Sequence, residues 1–157
     1  MQKITPFLWF DGKAEEAIKL YTSVFKNSKI IHIAHWGEGS PFPKDQVMSS
    51  TFEIDGLRFH AFDAGPQFKF TEAISLFVNC ETQEEIDHCW NALTADGGQE
   101  SMCGWLKDKF GLSWQLVPPV LGQYLGDKDR ARAGRVMQAM MKMKKIIIAD
   151  LQKAYEG

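Results

Sequence analysis

The stretch "AEEAIKLYTSVF" at residues 14–25 has a counterpart in "QEEIDHCWNALT" at residues 83–94, which lies 69 positions further along the chain. Both stretches repeat apolar side chains at the spacing of an amphipathic helix. The same shift lays "ITPFLWF" at residues 4–10 on "AISLFVN" at residues 73–79 without a gap. A short apolar strand and a helix that recur at one constant shift predict a duplicated structural unit.

Each predicted helix is followed by further strand-like runs. The first half ends in a hairpin around Asp55-Gly56, a dipeptide that tight hairpin turns favour. The second half has one or two short strands in residues 99–110, then turns at Gly111 into a last strand that Pro118-Pro119 ends. Both halves therefore predict the order strand, helix, strand, strand, strand, and the fold class is α+β.

Helix signals are clearest in the second half and beyond it. Thr82 is a predicted N-cap with Glu85 three residues later, which is a capping box. Gly97-Gly98 is predicted to end that helix. After Pro119 the residues are good helix formers, with an amphipathic helix predicted over about 129–143 and a last helix over 149–156. Two aspartates are candidate N-caps there, namely Asp127 and Asp129.

Composition excludes several classes of function. The 157 residues are 45% hydrophobic and 12% aromatic, with a formal net charge of -2, so nothing predicts a nucleic-acid or membrane partner. The N-terminus lacks the pattern of a signal peptide, and no apolar run reaches the ~18 residues of a membrane span. The three cysteines form no CxxC pair, which predicts reduced thiols in a cytoplasmic protein.

Four stretches resemble the PhnB-like group of the vicinal oxygen chelate (glyoxalase/bleomycin resistance/dioxygenase) superfamily, a group commonly labelled 3-demethylubiquinone-9 3-methyltransferase. They are "ITPFLWFDGKAEEAIKLYTSVF", "GPQFKFTEAISLFVNCETQEEIDHCWNAL", "CGWLKDKFGLSWQLVP" and "RVMQAMMKMKKIIIADLQKAY". The resemblance implies two βαβββ repeats that form curved, cup-shaped mixed sheets, usually completed as a homodimer, with a pocket inside each cup. We expect a single domain over residues 1–157, with repeats over about 3–64 and 72–118 and a C-terminal helical extension over about 119–157.

In metal-using members of this superfamily, ligands come from the first and last strands of each repeat. His60 and Gln115 each follow a turn glycine by four residues and match the positions on the last strands. On the first strands, alternation predicts that the cup-facing side chains are Ile4, Pro6, Leu8, Phe10, Ala73, Ser75, Phe77 and Asn79. None of these is His, Glu or Asp, whereas a catalytic metal normally has three protein ligands. The prediction is therefore no metal and no other cofactor. His32 and His35 are expected outside this geometry, on opposite faces of another strand.

The polar and aromatic side chains that remain suit a small organic ligand, aromatic or quinone-like, as the partner. The predicted ligand-binding residues are Arg58, His60, Phe62, Ser75, Phe77, Asn79, Ser113 and Gln115. One alternative is that these residues only fill an interior or a subunit interface. Another is an enzyme on such a substrate, including the reaction of the family label, with His60 as the catalytic acid or base.

Other catalytic patterns are weak. No glycine-rich GxGxG loop is present to hold S-adenosylmethionine, and no G-x-S-x-G elbow is present for a serine nucleophile. Cys103 beside Gly104 is a candidate reactive thiol. Asp63 and Glu72 flank the linker between the repeats, either as solubilising charges or as a general base.

Overall fold

In both halves of the chain, the first and last strands of a four-stranded sheet lie side by side and run parallel. The computed structural model describes all 157 residues, as two compact units, Met1–Lys69 and Phe70–Gly157. The other neighbouring strands in each sheet are antiparallel. Each unit is thus one mixed sheet built from a strand–helix–strand–strand–strand repeat, which confirms the predicted α+β fold. The single-domain organisation stays a prediction.

The elements of the first unit are β1 (Phe7–Phe10), α1 (Ala14–Val24), β2 (Lys29–His35), β3 (Val47–Ile54) and β4 (Leu57–Asp63). They lie in the sheet order β1-β4-β3-β2. Between β3 and β4, Asp55 and Gly56 have φ values of 48° and 79°. Positive φ at both central residues is the signature of a type I′ turn, which matches the twist of the flanking strands. The predicted hairpin is confirmed.

The core of the first unit lies between α1 and one face of its sheet. The helix buries the stripe Ala14, Ala17, Ile18, Tyr21 and Val24. The buried apolar side chains of the strands include Leu8, Phe10, Phe52, Phe59 and Ala61. Phe52 and Phe59 stack with their ring centroids 5.6 Å apart. Because burial of each large apolar side chain contributes roughly 1.5–3 kcal/mol, this layer holds α1 on the sheet.

A buried carboxylate joins three elements of this unit. Asp63 is 1% exposed at the end of β4, and its two oxygens accept hydrogen bonds from the backbone N–H groups of Ala14 (3.0 Å) and Val47 (2.9 Å). Ala14 is the first residue of α1, where unpaired N–H groups and the helix dipole favour a negative charge. Asp63 is therefore a structural anchor, and the predicted roles of solubilising charge or general base are wrong for it.

The register of β1 corrects one prediction about faces. Pairing with β4 places Phe7 beside His60 and Trp9 beside Phe62, whereas Leu8 and Phe10 are buried in the core. The prediction that Leu8 and Phe10 face the site is therefore wrong. The two helices begin 69 residues apart, as the sequence alignment has it. The first strands of the two repeats are instead related by a shift of 70, because Phe77 pairs with Gln115 as Phe7 pairs with His60.

The second unit has the same plan with shorter strands. Its elements are β5 (Ser75–Asn79), α2 (Gln83–Thr94), β6 (Gln99–Glu100), β7 (Trp105–Lys107) and β8 (Ser113–Val117), in the sheet order β5-β8-β7-β6. The Thr82 hydroxyl accepts from the backbone N–H of Glu85, as the capping box predicts. The Glu85 carboxylate accepts from Glu81, one residue earlier than in the standard motif. A 3₁₀ turn at Ala95–Gly97 follows α2, so the helix ends before the predicted glycines.

Another buried carboxylate shapes the turn between β7 and β8. Asp108 is 2% exposed and accepts from the backbone N–H groups of Phe110 (2.9 Å) and Leu112 (3.0 Å). Its second oxygen accepts from the indole N–H of Trp114 at 2.9 Å. Buried charges of this kind are stable only when hydrogen-bonded on every side, and here the donors come from the turn that Asp108 closes.

Three helices follow β8: α3 (Pro119–Leu125), α4 (Arg130–Met141) and α5 (Ile148–Glu156). The sequence predicted α4 and α5 but not α3, which begins with Pro119 in its first turn. Asp129 caps α4 by accepting from the N–H groups of Ala131 and Arg132. None of the helices combines the length and the apolar character that crossing a bilayer requires.

We expect that Asp63→Ala lowers the free energy of unfolding by about 3 kcal/mol, because two buried N–H groups lose a charged acceptor. Urea denaturation followed by circular dichroism measures this change. The matched control is Asp11→Ala, at an exposed aspartate, for which we expect a change within about 0.5 kcal/mol. Equal stability of the two variants would show that Asp63 anchors nothing.

Candidate functional site

The helix-free face of the first sheet, defined as the side opposite α1, carries a row of side chains across all four strands. Strand pairing places Phe7 of β1 beside His60 of β4. On β3, Thr51 pairs with His60 on one side and with His32 of β2 on the other. Paired residues on neighbouring strands project to the same side of a sheet. The row therefore brings together an aromatic ring, a hydroxyl and two imidazoles.

A groove of about 280 Å³ lies at this row. Its lining comes from all four strands and consists of Phe7, His32, Ser49, Ser50, Thr51 and His60. The sequence predicted only His60 among these residues as part of a site. The groove is thus more polar at its floor than expected, because the hydroxyl side chains of Ser49 and Thr51 on β3 lie beside the two histidines.

His60 is held in one orientation. Its Nδ1 lies 3.0 Å from the backbone carbonyl of Ser50 and 3.2 Å from the hydroxyl of Thr51. Because a carbonyl can only accept, Nδ1 carries a proton in the neutral ring, and Nε2 holds the lone pair. Regular pairing of β3 and β4 stops next to this residue. There the Ser50 hydroxyl donates to the carbonyl of Ala61 at 2.6 Å and accepts from the N–H of Ala61 at 3.1 Å. A local irregularity of the ladder therefore supports the position of His60.

His32 lies in the groove, although the sequence did not single it out as a site residue. It stands on β2, outside the first and last strands, and on the opposite face from His35, as predicted. The register of β2 shifts between Ile30 and His32, and this bulge turns His32 to the helix-free face. Its Nε2 lies 3.4 Å from the hydroxyl of Ser49. His35 lies on the opposite face, where its Nε2 contacts Glu15 of α1 at 2.6 Å. Hydrogen bonds from Lys19 and then His35 lower the pKa of the Glu15 carboxyl.

Aromatic rings continue from the groove along β1 and β4. Phe7 is 58% exposed and meets Phe62 edge to face at a centroid distance of 4.9 Å. Trp9 meets Phe62 at 5.0 Å and Phe68 at 4.9 Å, also edge to face. This arrangement is favourable for ring pairs and leaves the outer rings open to a further aromatic partner. The predicted residue Phe62 is therefore adjacent to the groove, at the centre of an aromatic cluster.

Arg58 lies on the other side of the histidine row. It pairs with Glu53 of β3, which pairs with Lys29 of β2. The Glu53 carboxylate accepts from the Arg58 guanidinium at 3.2 Å and lies 3.6 Å from the Lys29 ammonium. The predicted ligand contact Arg58 is thus already engaged in an exposed charge row beside the groove.

In the second unit, the predicted residues share one face of the sheet. Phe77 lies beside Gln115, just as Phe7 lies beside His60 in the first unit. The Gln115 amide donates to the Ser75 hydroxyl at 2.8 Å, and Phe77 is 54% exposed. Asn79 is exposed, whereas Ser113 is fully buried with a hydroxyl that makes no hydrogen bond. The structure therefore brings Ser75, Phe77 and Gln115 together and leaves Ser113 inaccessible.

The residues present do not fit a divalent metal at the last-strand positions. A phenylalanine ring stands beside each of His60 and Gln115, where a neighbouring ligand would be needed. No group of three or more His, Cys, Asp or Glu side chains is arranged to hold a metal ion. Each unit offers a single donor at this position, an imidazole in the first and a neutral amide in the second, whereas catalytic metal sites normally have three protein ligands.

The thiols and the remaining carboxylate that the sequence singled out lie outside the groove. Cys103 is half-buried in a turn with φ of 59°, and its N–H donates to the carbonyl of Met143. Cys80 and Cys89 are buried, as expected. The hydrogen bond with Cys89, followed by burial, raises the pKa of the Cys80 thiol. Glu72 is exposed and forms an ion pair with Lys107, whose hydrogen bond lowers the pKa of the Glu72 carboxyl.

Solved structures define the class of fold. A mutant of the fosfomycin resistance protein FosX from Listeria monocytogenes, solved with Mn(II) and 1S,2S-dihydroxypropylphosphonic acid, matches with a TM-score of 0.56 and 16% identity, over 80% of this chain and 99% of that one. Protein PA1353 from Pseudomonas aeruginosa matches with a TM-score of 0.62 and 24% identity, over 74% and 96%. The duplicated mixed sheet is therefore that of the glyoxalase/bleomycin resistance fold.

The family follows from more specific matches. A family model described as 3-demethylubiquinone-9 3-methyltransferase matches residues 2–117. A PhnB protein from Bacillus cereus, described with the same activity, is 43% identical, with a TM-score of 0.71 over 74% of this chain and 99% of that one. This chain belongs to that PhnB-like family. Among curated proteins, none matches the sequence.

Proposed function

We propose that this chain binds a small aromatic or quinone-like molecule in the groove of the first sheet, without a metal ion. The observation that carries the proposal is that an exposed aromatic ring and two imidazoles line one space of about 280 Å³. Ligand pockets combine apolar walls with a few convergent polar groups in this way. The space is slightly smaller than the roughly 300–1,000 Å³ of typical ligand sites, which favours a molecule of one or two rings.

We extend the proposal to the corresponding face of the second sheet. Phe77 beside Gln115 repeats the pairing of an exposed ring with a polar group, and Ser75 orients the amide. Stacking on Phe77 and hydrogen bonds from Gln115 would suit the same chemical class of ligand. Asn79 adds an exposed amide at the end of the same strand.

An enzyme on such a molecule is the second candidate, and the orientation of His60 favours it. Nδ1 is held by the Ser50 carbonyl, so the lone pair of Nε2 is available to accept a proton from a ligand hydroxyl. Nε2 makes no hydrogen bond within the protein. The family description names a methyltransferase of 3-demethylubiquinone, and transfer to a hydroxyl would require a base of this kind.

The binding proposal is tested with 4-methoxyphenol, a stable one-ring probe, by isothermal titration calorimetry. We expect that Phe7→Ala raises the dissociation constant roughly tenfold, because it removes one wall of the groove. Leu57→Ala is the matched control, since Leu57 is also a large exposed apolar residue but lies at the hairpin. Equal weakening in both variants, or no binding to the wild type, would refute the site.

The enzyme candidate is tested on any phenolic substrate that the chain turns over. We expect that His60→Ala lowers kcat by about 100-fold, the usual contribution of a positioned base, while the dissociation constant changes less than about threefold. His88→Ala, at an exposed histidine of α2, is the control. An unchanged kcat in His60→Ala would assign binding alone to this residue.

Metal independence is tested on freshly isolated protein by plasma mass spectrometry. Because a phenylalanine stands beside each candidate donor, we expect less than about 0.1 equivalent of any divalent ion per chain. Dialysis against a chelator should leave the affinity for 4-methoxyphenol unchanged. About one tightly bound ion per chain, or a loss of binding after dialysis, would contradict the proposal.

A further inference from the structure

The groove contains two histidines but no carboxylate. His32 and His60 stand on either side of Thr51 on the same face of the sheet, and no Asp or Glu lines the groove. Two strand spacings of about 4.8 Å separate their backbones, roughly 10 Å in all. That distance lets both rings reach one small polar group from opposite sides, through hydrogen bonds of about 2.8 Å each.

Each imidazole keeps a ring nitrogen for a ligand, and on His60 that nitrogen holds the lone pair while the ring is neutral. The Nδ1 proton of His60 is used by the Ser50 carbonyl, so its Nε2 is the atom left for a ligand. His32 is exposed, and its one contact is the long 3.4 Å approach to the Ser49 hydroxyl. An imidazole donates from both nitrogens only when it is protonated, and in that form both rings can donate to an anion placed between them.

The charge row beside the groove also favours an anion. Arg58 and Lys29 both approach Glu53, so the row carries two positive charges and one negative charge. The Glu53 carboxylate, which would repel an anionic ligand, is thus neutralised by its neighbours. At the β1 end of the histidine row, beside His60, the exposed ring of Phe7 offers an apolar surface.

We propose that the groove selects an aromatic carboxylate, with the ring against Phe7 and the carboxylate between His32 and His60. This inference rests on the proposed binding function and makes it more specific, because it assigns a charge to the ligand and a role to His32. Charge-assisted hydrogen bonds are roughly twice as strong as neutral ones, so the anion is preferred over a neutral molecule of the same shape.

The test compares benzoate with benzamide, which has the same size and no charge. Isothermal titration calorimetry on the full chain at about pH 5.5, where an imidazole carries a proton, should give a dissociation constant about tenfold lower for benzoate. His32→Gln should remove most of that preference and leave the affinity for benzamide unchanged, which also shows that the groove remains folded. His35→Gln is the control, because His35 lies on the same strand but faces α1.

The outcomes separate this inference from the proposed function. If the wild type binds both molecules equally, or if His32→Gln leaves the preference intact, the selection of an anion is wrong while aromatic binding stands. A loss of preference in His35→Gln equal to that in His32→Gln would also overturn the role of His32. If neither molecule binds, the proposed function itself fails at this groove.

Discussion

Parallel pairing between the first and last strand of each repeat determines which side chains meet in this molecule. In the first unit it sets Phe7 beside His60, and in the second it sets Phe77 beside Gln115. The helix that connects the repeat's first strand to the others covers one side of the sheet, so the paired residues appear on the other. The aromatic and polar character of both candidate surfaces follows from this single constraint, as does the poor fit to a metal ion.

The repeat, the helix caps and the hairpin could be predicted from the sequence because each depends on a local pattern. Thr82 and Asp129 cap helices where their spacing predicts, and Asp55-Gly56 forms the expected turn. Alternation alone could not predict which side chains of β1 face the helix. All four are apolar, so only pairing with β4 decides that Leu8 and Phe10 are the buried ones. Likewise, the bulge that brings His32 to the groove inserts one residue, and nothing in "KIIHIAH" marks its position.

Two aspartates that look like surface charges in the sequence are among the most buried groups. Asp63 anchors the start of α1 and of β3, and Asp108 closes the turn before β8. Both accept hydrogen bonds from backbone N–H groups that would otherwise be unpaired, which offsets the cost of burying a charge. Composition carries no information about such donors, because they belong to residues far along the chain or to the turn itself. Each candidate surface therefore rests on a sheet that is held partly by hydrogen bonds to a buried carboxylate.

The side chain of Gln83 connects α2 to the C-terminal helices, beyond the last strand of the sheet. Its amide N–H donates to the carbonyl of Ile146 at 3.1 Å, and its amide oxygen accepts from the N–H of Ile148 at 2.8 Å. One side chain therefore makes two hydrogen bonds to the backbone where α5 begins. Ile146 is fully buried. The family match stops at residue 117, yet the physical unit continues, and a chain cut at that boundary would expose the amide and the apolar surface that the later helices cover.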